Sequence, residues 1–245
     1  MTTIYLSPST QENNPYIIGG TEEQYMNRVA DAMEPYLRSS GIQFRRNTPQ
    51  MTATSSIRQA NSGNYDFYLA LHSNAAPDAL SGQVRGTDIY YYPSSTRGRR
   101  MAEIIASHFK TIYPLPERVR VLPTTSIGEV AKTRAPAVLI EIAYHDNVQD
   151  ANWIAGNIET IARTLVISLC EYFGIPFINA QPPRSGTVSL TSGNLNIRSR
   201  PTTSSSIVTQ APNGAQVTVW GQWQNWYVVE YNGYTGYARV QYIYL

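Results

Sequence analysis

Three settings in this 245-residue chain place reactive side chains where hydrolytic chemistry needs them. His72 ends an apolar run, which puts an imidazole at the carboxyl end of a predicted buried strand, the edge where ligands gather in open α/β sheets. Glu141 lies inside a second apolar run, where a carboxylate is costly unless a metal, an ion-pair partner or a raised pKa compensates. Glu22 and Glu23 stand at the start of a predicted helix, where a carboxylate also stabilises the helix dipole.

One histidine, one glutamate at a helix start and one glutamate near a strand end are what a hydrolytic zinc site needs. The metal takes about three protein ligands and keeps an open position for water, while a nearby carboxylate that is not a ligand accepts the proton of that water. A buried ion pair is the structural alternative for Glu141. The spacing alone therefore gives only the hypothesis of a zinc site, and the rest of the sequence has to support it.

Signatures of other chemistries are absent. The sequence has no GxGxxG, GxxxxGKS/T, GxSxG or HExxH motif, which excludes the commonest nucleotide-binding, serine-hydrolase and metalloprotease patterns. Cys170 is the single cysteine, so the chain has no internal disulfide, and its helical setting indicates core packing. His108 lies within a predicted helix and is interpreted as a helix-edge residue.

Segments with the two-residue alternation of strands take turns along the chain with segments that have the 3.6-residue period of helices. This order predicts an α/β sheet flanked by helices, which would position the residues above. The predicted strands are 3–7, 42–46, 65–73, 87–92 and 137–144. One helix is predicted over about 22–38 behind a capping box that begins at Thr21. A second helix follows the apolar stripe of 101–112, and a third follows the stripe of 151–169 behind Asp146 or Asn147.

A change of composition near residue 176 predicts a second domain. Residues 1–176 hold 15 Lys and Arg against 16 Asp and Glu, whereas 177–245 hold four Arg against Glu230 alone. The last segment has short alternating runs broken by Asn-Gly turns and no helical pattern, which predicts a small β-barrel. We therefore divide the chain into a first domain over 1–175, a linker over 176–186 and a β domain over 187–245.

Composition also bounds the setting in which the chain works. No apolar run approaches the roughly 20 residues that a membrane-spanning helix needs, and the amino-terminal residues lack a basic stretch followed by an apolar one. The expectation is a protein that is made in the cytoplasm without a signal peptide and does not insert into membranes. The tail has four arginines and no lysine, which is too little positive charge to bind a phosphate backbone strongly. Nucleic acid is therefore not expected as a partner.

The order of whole motifs resembles the zinc-dependent N-acetylmuramoyl-L-alanine amidases of the amidase_3 type, over roughly residues 3–174. The resemblance is carried by residues 5–11, 20–27, 69–75 and 137–147. The tail resembles a bacterial SH3 (SH3b) module, through residues 195–201, 226–229 and 236–238. A catalytic domain followed by a wall-binding module is typical of phage endolysins and bacterial autolysins, notably of Gram-positive hosts.

The resemblance implies roles for individual residues. His72 matches a zinc ligand of the family, and Glu141 matches the family's catalytic glutamate. Of the two carboxylates at the helix start, Glu23 keeps the family's four-residue offset to Asn27 and is the one we assign as a ligand, although the apolar face alone does not separate it from Glu22. The implied cofactor is Zn²⁺.

The first motif departs from the family, which has a histidine just after the first strand. Here that place holds Ser, Thr and Gln, so the third zinc ligand is open. Gln11 stands nearest and offers a carbonyl oxygen, but a neutral amide binds Zn²⁺ more weakly than imidazole does. His145 is the second candidate, and a site with two strong ligands and waters is the third.

The tail is rich in aromatic residues and arginine, which suits an anionic wall polymer. We assign wall binding to Trp223, Trp226 and Tyr237. The implied function is hydrolysis of the amide bond between N-acetylmuramic acid and L-alanine of bacterial peptidoglycan. The alternatives are a catalytically impaired wall-binding protein that has lost its first zinc ligand, and a related zinc hydrolase acting on the stem peptide.

Overall fold

The computed structural model describes residues 1–245, which form two compact units. The larger unit comprises Ile4–Met33 and Phe44–Tyr172, and the smaller one comprises Met1–Thr3, Glu34–Gln43 and Phe173–Leu245. No helix is long and apolar enough to cross a bilayer.

The first sheet has six strands in the order β2-β1-β3-β6-β4-β5. Its strands are β1 (Thr2–Pro8), β2 (Ile42–Arg46), β3 (Phe67–Asn74), β4 (Thr87–Tyr91), β5 (Val119–Pro123) and β6 (Ala137–Tyr144). The helices are α1 (Glu22–Ser39), α2 (Ala53–Ser62), α3 (Thr96–Phe109), α4 (Gly128–Ala131), α5 (Val148–Gly156) and α6 (Ile158–Phe173). Strands β1, β3 and β6 run parallel, and β4 runs antiparallel to β6. The predicted class of α/β sheet flanked by helices is confirmed.

Helix boundaries follow their caps. Thr21 Oγ1 accepts a hydrogen bond from the Gln24 N–H, and the Gln24 side chain accepts one from the Thr21 N–H, so the predicted capping box opens α1. Asn147 caps α5 by accepting from two backbone N–H groups. The single third helix predicted over 151–169 was wrong, because Asn157 turns out of the helical conformation and divides the stripe into α5 and α6.

An apolar cluster on one face of the sheet supports the candidate site. Tyr5, Ala70 and Leu139, on three adjacent strands, pack there against α2 and against Val130 of α4. Side chains alternate between faces along a strand, so the residues two positions further along point to the same face. Those residues are Ser7, His72 and Glu141. The sheet therefore places these three polar side chains on the same face as the apolar cluster, next to it along the strands.

The smaller unit contains an antiparallel β sheet, as the SH3b resemblance predicted. The sheet has seven strands, more than the four or five that the sequence pattern indicates, in the order β13-β7-β10-β11-β12-β8-β9. Its strands are β7 (Arg184–Val188), β8 (Asn194–Arg198), β9 (Ile207–Pro212), β10 (Gln216–Trp223), β11 (Trp226–Tyr231), β12 (Tyr234–Arg239) and β13 (Ile243–Tyr244). Asn232 and Gly233 turn β11 into β12 with positive φ at both positions, the geometry that an Asn-Gly hairpin turn favours.

Candidate active site

His72 and Glu141 lie side by side at the candidate site. They are paired positions on the parallel strands β3 and β6, and Asp88 is paired with Glu141 from β4 on its other side. Asp88 is buried and accepts two hydrogen bonds from the guanidinium of Arg120. Three neighbouring strands thus carry an imidazole and two carboxylates at one level of the sheet.

His72 binds a carboxylate at each ring nitrogen. Its Nδ1 lies 2.8 Å from Oε1 of Glu22, the first residue of α1, and its Nε2 lies 2.8 Å from Oε2 of Glu129 on α4. All three side chains are buried. The imidazole is therefore fixed in orientation by two elements other than its own strand.

The oxygen atoms that face away from His72 have donors of their own. Asn14 donates to Oε2 of Glu22, while Ser7 and Tyr68 both donate to Oε1 of Glu129. Buried carboxylates are stable only when such donors replace the lost water. Each glutamate is thus held with one oxygen turned towards the imidazole.

The charges of this cluster shift the pKa values of its members. Burial by itself lowers the pKa of His72, but its hydrogen bonds to Glu129 and Glu22 outweigh burial and raise the pKa well above the ordinary value. Burial raises the pKa of both glutamates, and the hydrogen bonds and charge of His72 reverse that effect, so both pKa values are lowered. In the metal-free protein at neutral pH, the imidazolium therefore donates to two carboxylates.

Glu141 differs from the other two glutamates because its Oε2 is buried and has no hydrogen-bond partner. Burial, together with the negative charges of Glu22, Asp88 and Glu129, raises its pKa to about 7, against the opposing effect of His72. A carboxyl group that titrates near neutrality is suited to accept and return a proton. An unpartnered buried oxygen of this kind is costly for the fold, which makes it a marker of function.

Two cavities reach the cluster. One of about 710 Å³ is lined by Ser9, Gln11, Asn14, His72 and Glu129, among others. A second, of about 360 Å³, is lined by the same glutamine, histidine and glutamate and also by Glu141. A substrate can therefore approach His72 and Glu141 from solvent.

The structure places the sequence-predicted residues unequally. Glu22, and not Glu23, is the helix-start carboxylate beside His72, since the side chain of the first helical residue reaches the end of β3. The amide nitrogen of Gln11 lies 3.4 Å from Nδ1 of His72. His145 lies apart from this cluster: its Nδ1 bonds to Ser73 and its ring stacks on a tyrosine.

The charge of the cluster suits a divalent metal, and His72 and Glu22 are side chains that bind one. Oε1 of Glu22 and the amide nitrogen of Gln11 lie next to Nδ1 of His72. Three buried or partly buried glutamates around a single imidazole leave an excess of negative charge that a dication would neutralise. The His, Cys, Asp and Glu side chains alone form no group of three that could hold an ion. A metal bound by Glu22 and His72 would therefore need water or the Gln11 carbonyl oxygen, which accepts a hydrogen bond from Asn14 in this structure, to complete its coordination.

Glu129 is the functional-site residue that sequence reasoning missed. It belongs to a helix of only four residues, which is too short to show any periodicity. Its burial depends on the neighbouring strands that bring Ser7 and Tyr68 to it, and these lie more than 60 residues away in the sequence. A single glutamate in a polar segment gave no signal of this contact.

The wall-binding assignments also fall in different settings. Trp223 is 40% exposed, whereas Tyr237 is buried and donates its hydroxyl proton to the Ser40 carbonyl, so Tyr237 offers no face to a polymer. Trp226 is largely buried but lines a groove of about 580 Å³ in the smaller unit, where the guanidinium of Arg239 lies over its ring. Arg198 lines the same groove.

Family comparison matches residues 8–166 to Amidase_3, described as N-acetylmuramoyl-L-alanine amidase, and residues 193–244 to SH3_3, the bacterial SH3 domain. One curated relative is N-acetylmuramoyl-L-alanine amidase LytC of Bacillus subtilis. It is 27% identical over 157 residues, which cover 61% of this chain and 31% of LytC. The chain thus spans about a third of the curated relative that it matches.

Solved structures share the fold of the first unit. The amidase AmiC2 of Nostoc punctiforme aligns with a TM-score of 0.62 and 16% identity, over 71% of this chain and 97% of that one. The catalytic domain of an endolysin targeting Clostridia difficile aligns with a TM-score of 0.58 and 21% identity, over 70% of this chain and 98% of that one. At these identities the likeness concerns the fold.

Proposed function

The chain belongs to the Amidase_3 family of N-acetylmuramoyl-L-alanine amidases, and from this premise we propose that it hydrolyses the amide bond between N-acetylmuramic acid and L-alanine in bacterial peptidoglycan. The observation that carries the proposal is the buried, unpartnered Oε2 of Glu141 beside His72, in a cavity open to solvent. The enzyme would act at the bacterial cell wall, as endolysins and autolysins do.

The proposed cofactor is Zn²⁺, held by His72 and Glu22, with Gln11 as the third protein ligand. When bound, the metal would polarise the scissile carbonyl and lower the pKa of a water molecule. Glu22 takes the place that the sequence assigned to Glu23, because Glu22 is the carboxylate in contact with the imidazole. His145 is left with a structural role, since its hydrogen bonds are made to Ser73.

Glu141 would be the general base and then the general acid. It accepts a proton from the attacking water and returns it to the amine of L-alanine as the amide bond breaks, so no covalent intermediate is needed. In the metal-free protein, burial raises the pKa of Glu141 to about 7, so this carboxyl group takes up a proton more readily than an ordinary glutamate does. Buried Asp88 beside Glu141 contributes to this raised pKa.

We propose a division into a catalytic domain over 1–175, a linker and a wall-binding domain. The linker expected over 176–186 overlaps β7, which pairs with β10 from Arg184 onward, so the wall-binding domain begins at Arg184 rather than at 187. The match of 193–244 to bacterial SH3 domains and the groove of the smaller unit support a binding role for the last segment. Peptidoglycan would thus be both substrate and docking partner.

Digestion of purified Gram-positive peptidoglycan tests the activity directly. We expect mass spectrometry of the products to show new L-alanine amino termini, which disappear with a chelator and return with added Zn²⁺, because the metal supplies the charge stabilisation. Amines freed within the stem peptide would instead identify a peptidase. Intact peptidoglycan with protein bound to it would leave only a wall-binding protein.

Wall binding is tested by replacing an exposed aromatic residue of the smaller unit. We expect Trp223→Ala to weaken binding to peptidoglycan sacculi about tenfold, because a planar aromatic face on a polymer contributes about 1 kcal/mol or more. Tyr244→Ala is the matched control, since Tyr244 is also exposed and lies on β13 of the same sheet. Equal binding of both variants in a sedimentation assay would remove Trp223 from the binding surface.

A further inference from the structure

The two nitrogen atoms of His72 are engaged from opposite sides, and this assigns them different tasks. We propose that Glu129 is a positioning residue for His72: it accepts the Nε2 proton and thereby leaves Nδ1 as the metal-binding nitrogen. The inference rests on the zinc binding proposed above and adds a residue that the family pattern in the sequence did not point to.

The carboxylate of Glu129 is built to hold a proton donor in one place. Ser7 and Tyr68 donate to its Oε1 at 2.7 Å each, which leaves Oε2 turned to Nε2 of His72 at 2.8 Å. The hydroxyl oxygens of Ser7 and Tyr68 lie 2.9 Å from each other. The side chain is 6% exposed, so water competes little for these contacts.

The opposite nitrogen faces the ligand candidates. Nδ1 of His72 has Glu22 Oε1 at 2.8 Å and the Gln11 amide at 3.4 Å, and Asn14 donates to both of these side chains. Glu129 is the hydrogen-bond partner at Nε2. Each ring nitrogen thus meets one carboxylate, but Nδ1 lies on the side of Glu22 and Gln11, the ligands proposed above, whereas Nε2 meets Glu129.

A carboxylate on the far nitrogen of a ligating histidine fixes its tautomer and ring orientation and strengthens it as a ligand. Such support has a particular value in this chain, because a neutral amide stands where the family has an imidazole. Glu129 thus compensates for a weak third ligand by improving the histidine that remains.

The test uses the full chain and measures Zn²⁺ affinity by competition with a chelator. We expect Glu129→Gln to weaken Zn²⁺ binding about 10- to 100-fold, the usual loss when such a partner is removed. The visible absorption bands of the Co²⁺-substituted protein should stay in place, because the ligands themselves are unchanged. Glu22→Gln should shift those bands, and Glu103→Gln, on the exposed surface of α3, should change neither property.

A direct readout is the ¹⁵N NMR spectrum of His72 in the Zn²⁺-loaded protein, which distinguishes a metal-bound Nδ1 from a metal-bound Nε2. Metal on Nε2 would overturn the proposal, as would shifted Co²⁺ bands or unchanged Zn²⁺ affinity in Glu129→Gln. Tyr68→Phe, which removes one donor to Glu129, should lower the affinity in the same direction but less. A wild-type chain that binds no Zn²⁺ would instead refute the proposed cofactor, and this inference with it.

Discussion

Replacing Glu141 with Gln is expected to slow hydrolysis of the bond between N-acetylmuramic acid and L-alanine by about 10²- to 10⁴-fold, the range that general acid–base catalysis contributes. The amide keeps the shape of the side chain but accepts no proton at neutral pH. The loss should appear in kcat and leave wall binding unchanged. Glu141 lines the cavity beside His72 and does not line the groove of the smaller unit. Release of muropeptide amines from sacculi, followed over time, measures it.

Two controls make this result specific. Glu103→Gln carries the same chemical change on the exposed surface of α3 and should keep full activity. Binding of the Glu141→Gln protein to sacculi and its Zn²⁺ content should equal those of the wild type. A variant with more than about a tenth of the wild-type rate would show that another group takes the proton, and Glu141 would lose its assigned role.

The fold was largely predictable because its signals are local. The apolar runs that carry His72 and Glu141 became β3 and β6, and the capping box at Thr21 set the start of α1. The prediction of a single third helix was wrong at Asn157. There the apolar stripe continues, but the backbone leaves the helical conformation. Hydrophobic periodicity reports which face is buried, and a short break between two helices that bury the same face leaves it nearly unchanged.

The site was only partly predictable because it depends on contacts between distant segments. Sequence order placed an imidazole and a carboxylate at the ends of two strands, and the register of those strands pairs them. The choice between Glu22 and Glu23 depends instead on which of the two side chains reaches His72 at the end of β3, and no spacing rule contains that contact. Glu129 depends on a four-residue helix and on donors from β1 and β3, so it emerges only once the sheet is assembled.

The same carboxyl group that serves catalysis works against stability. Its raised pKa means that the folded protein prefers the protonated form of Glu141, while the unfolded chain ionises near 4.5. The folded state therefore binds more protons than the unfolded state between these values, and stability falls as pH rises from about 4.5 through about 7. A shift of this size corresponds to about 3 kcal/mol.

We therefore expect Glu141→Gln to gain stability relative to the wild type as the pH rises. In the metal-free protein, the difference in the free energy of unfolding should grow in favour of the variant by about 3 kcal/mol between pH 4 and pH 8, because the amide has no charge to bury. Any cost of an unpaired amide is the same at both pH values, so it cancels from this difference. Urea unfolding in a chelator measures both curves.

The comparison isolates Glu141 because the other groups of the cluster titrate in both proteins. His72 contributes stability that is lost as pH rises through its raised pKa, and Glu22 and Glu129 contribute stability that is lost as pH falls below their ordinary values. The part of these effects that is independent of Glu141 cancels between the curves, whereas the part coupled to its charge, such as its contribution to the raised pKa of His72, belongs to the measured difference. If the unfolding free energies of the two proteins ran parallel with pH, Glu141 would be solvated like an ordinary surface carboxylate. Its pKa would then not be raised, and the argument that it acts as a base near neutral pH would fail.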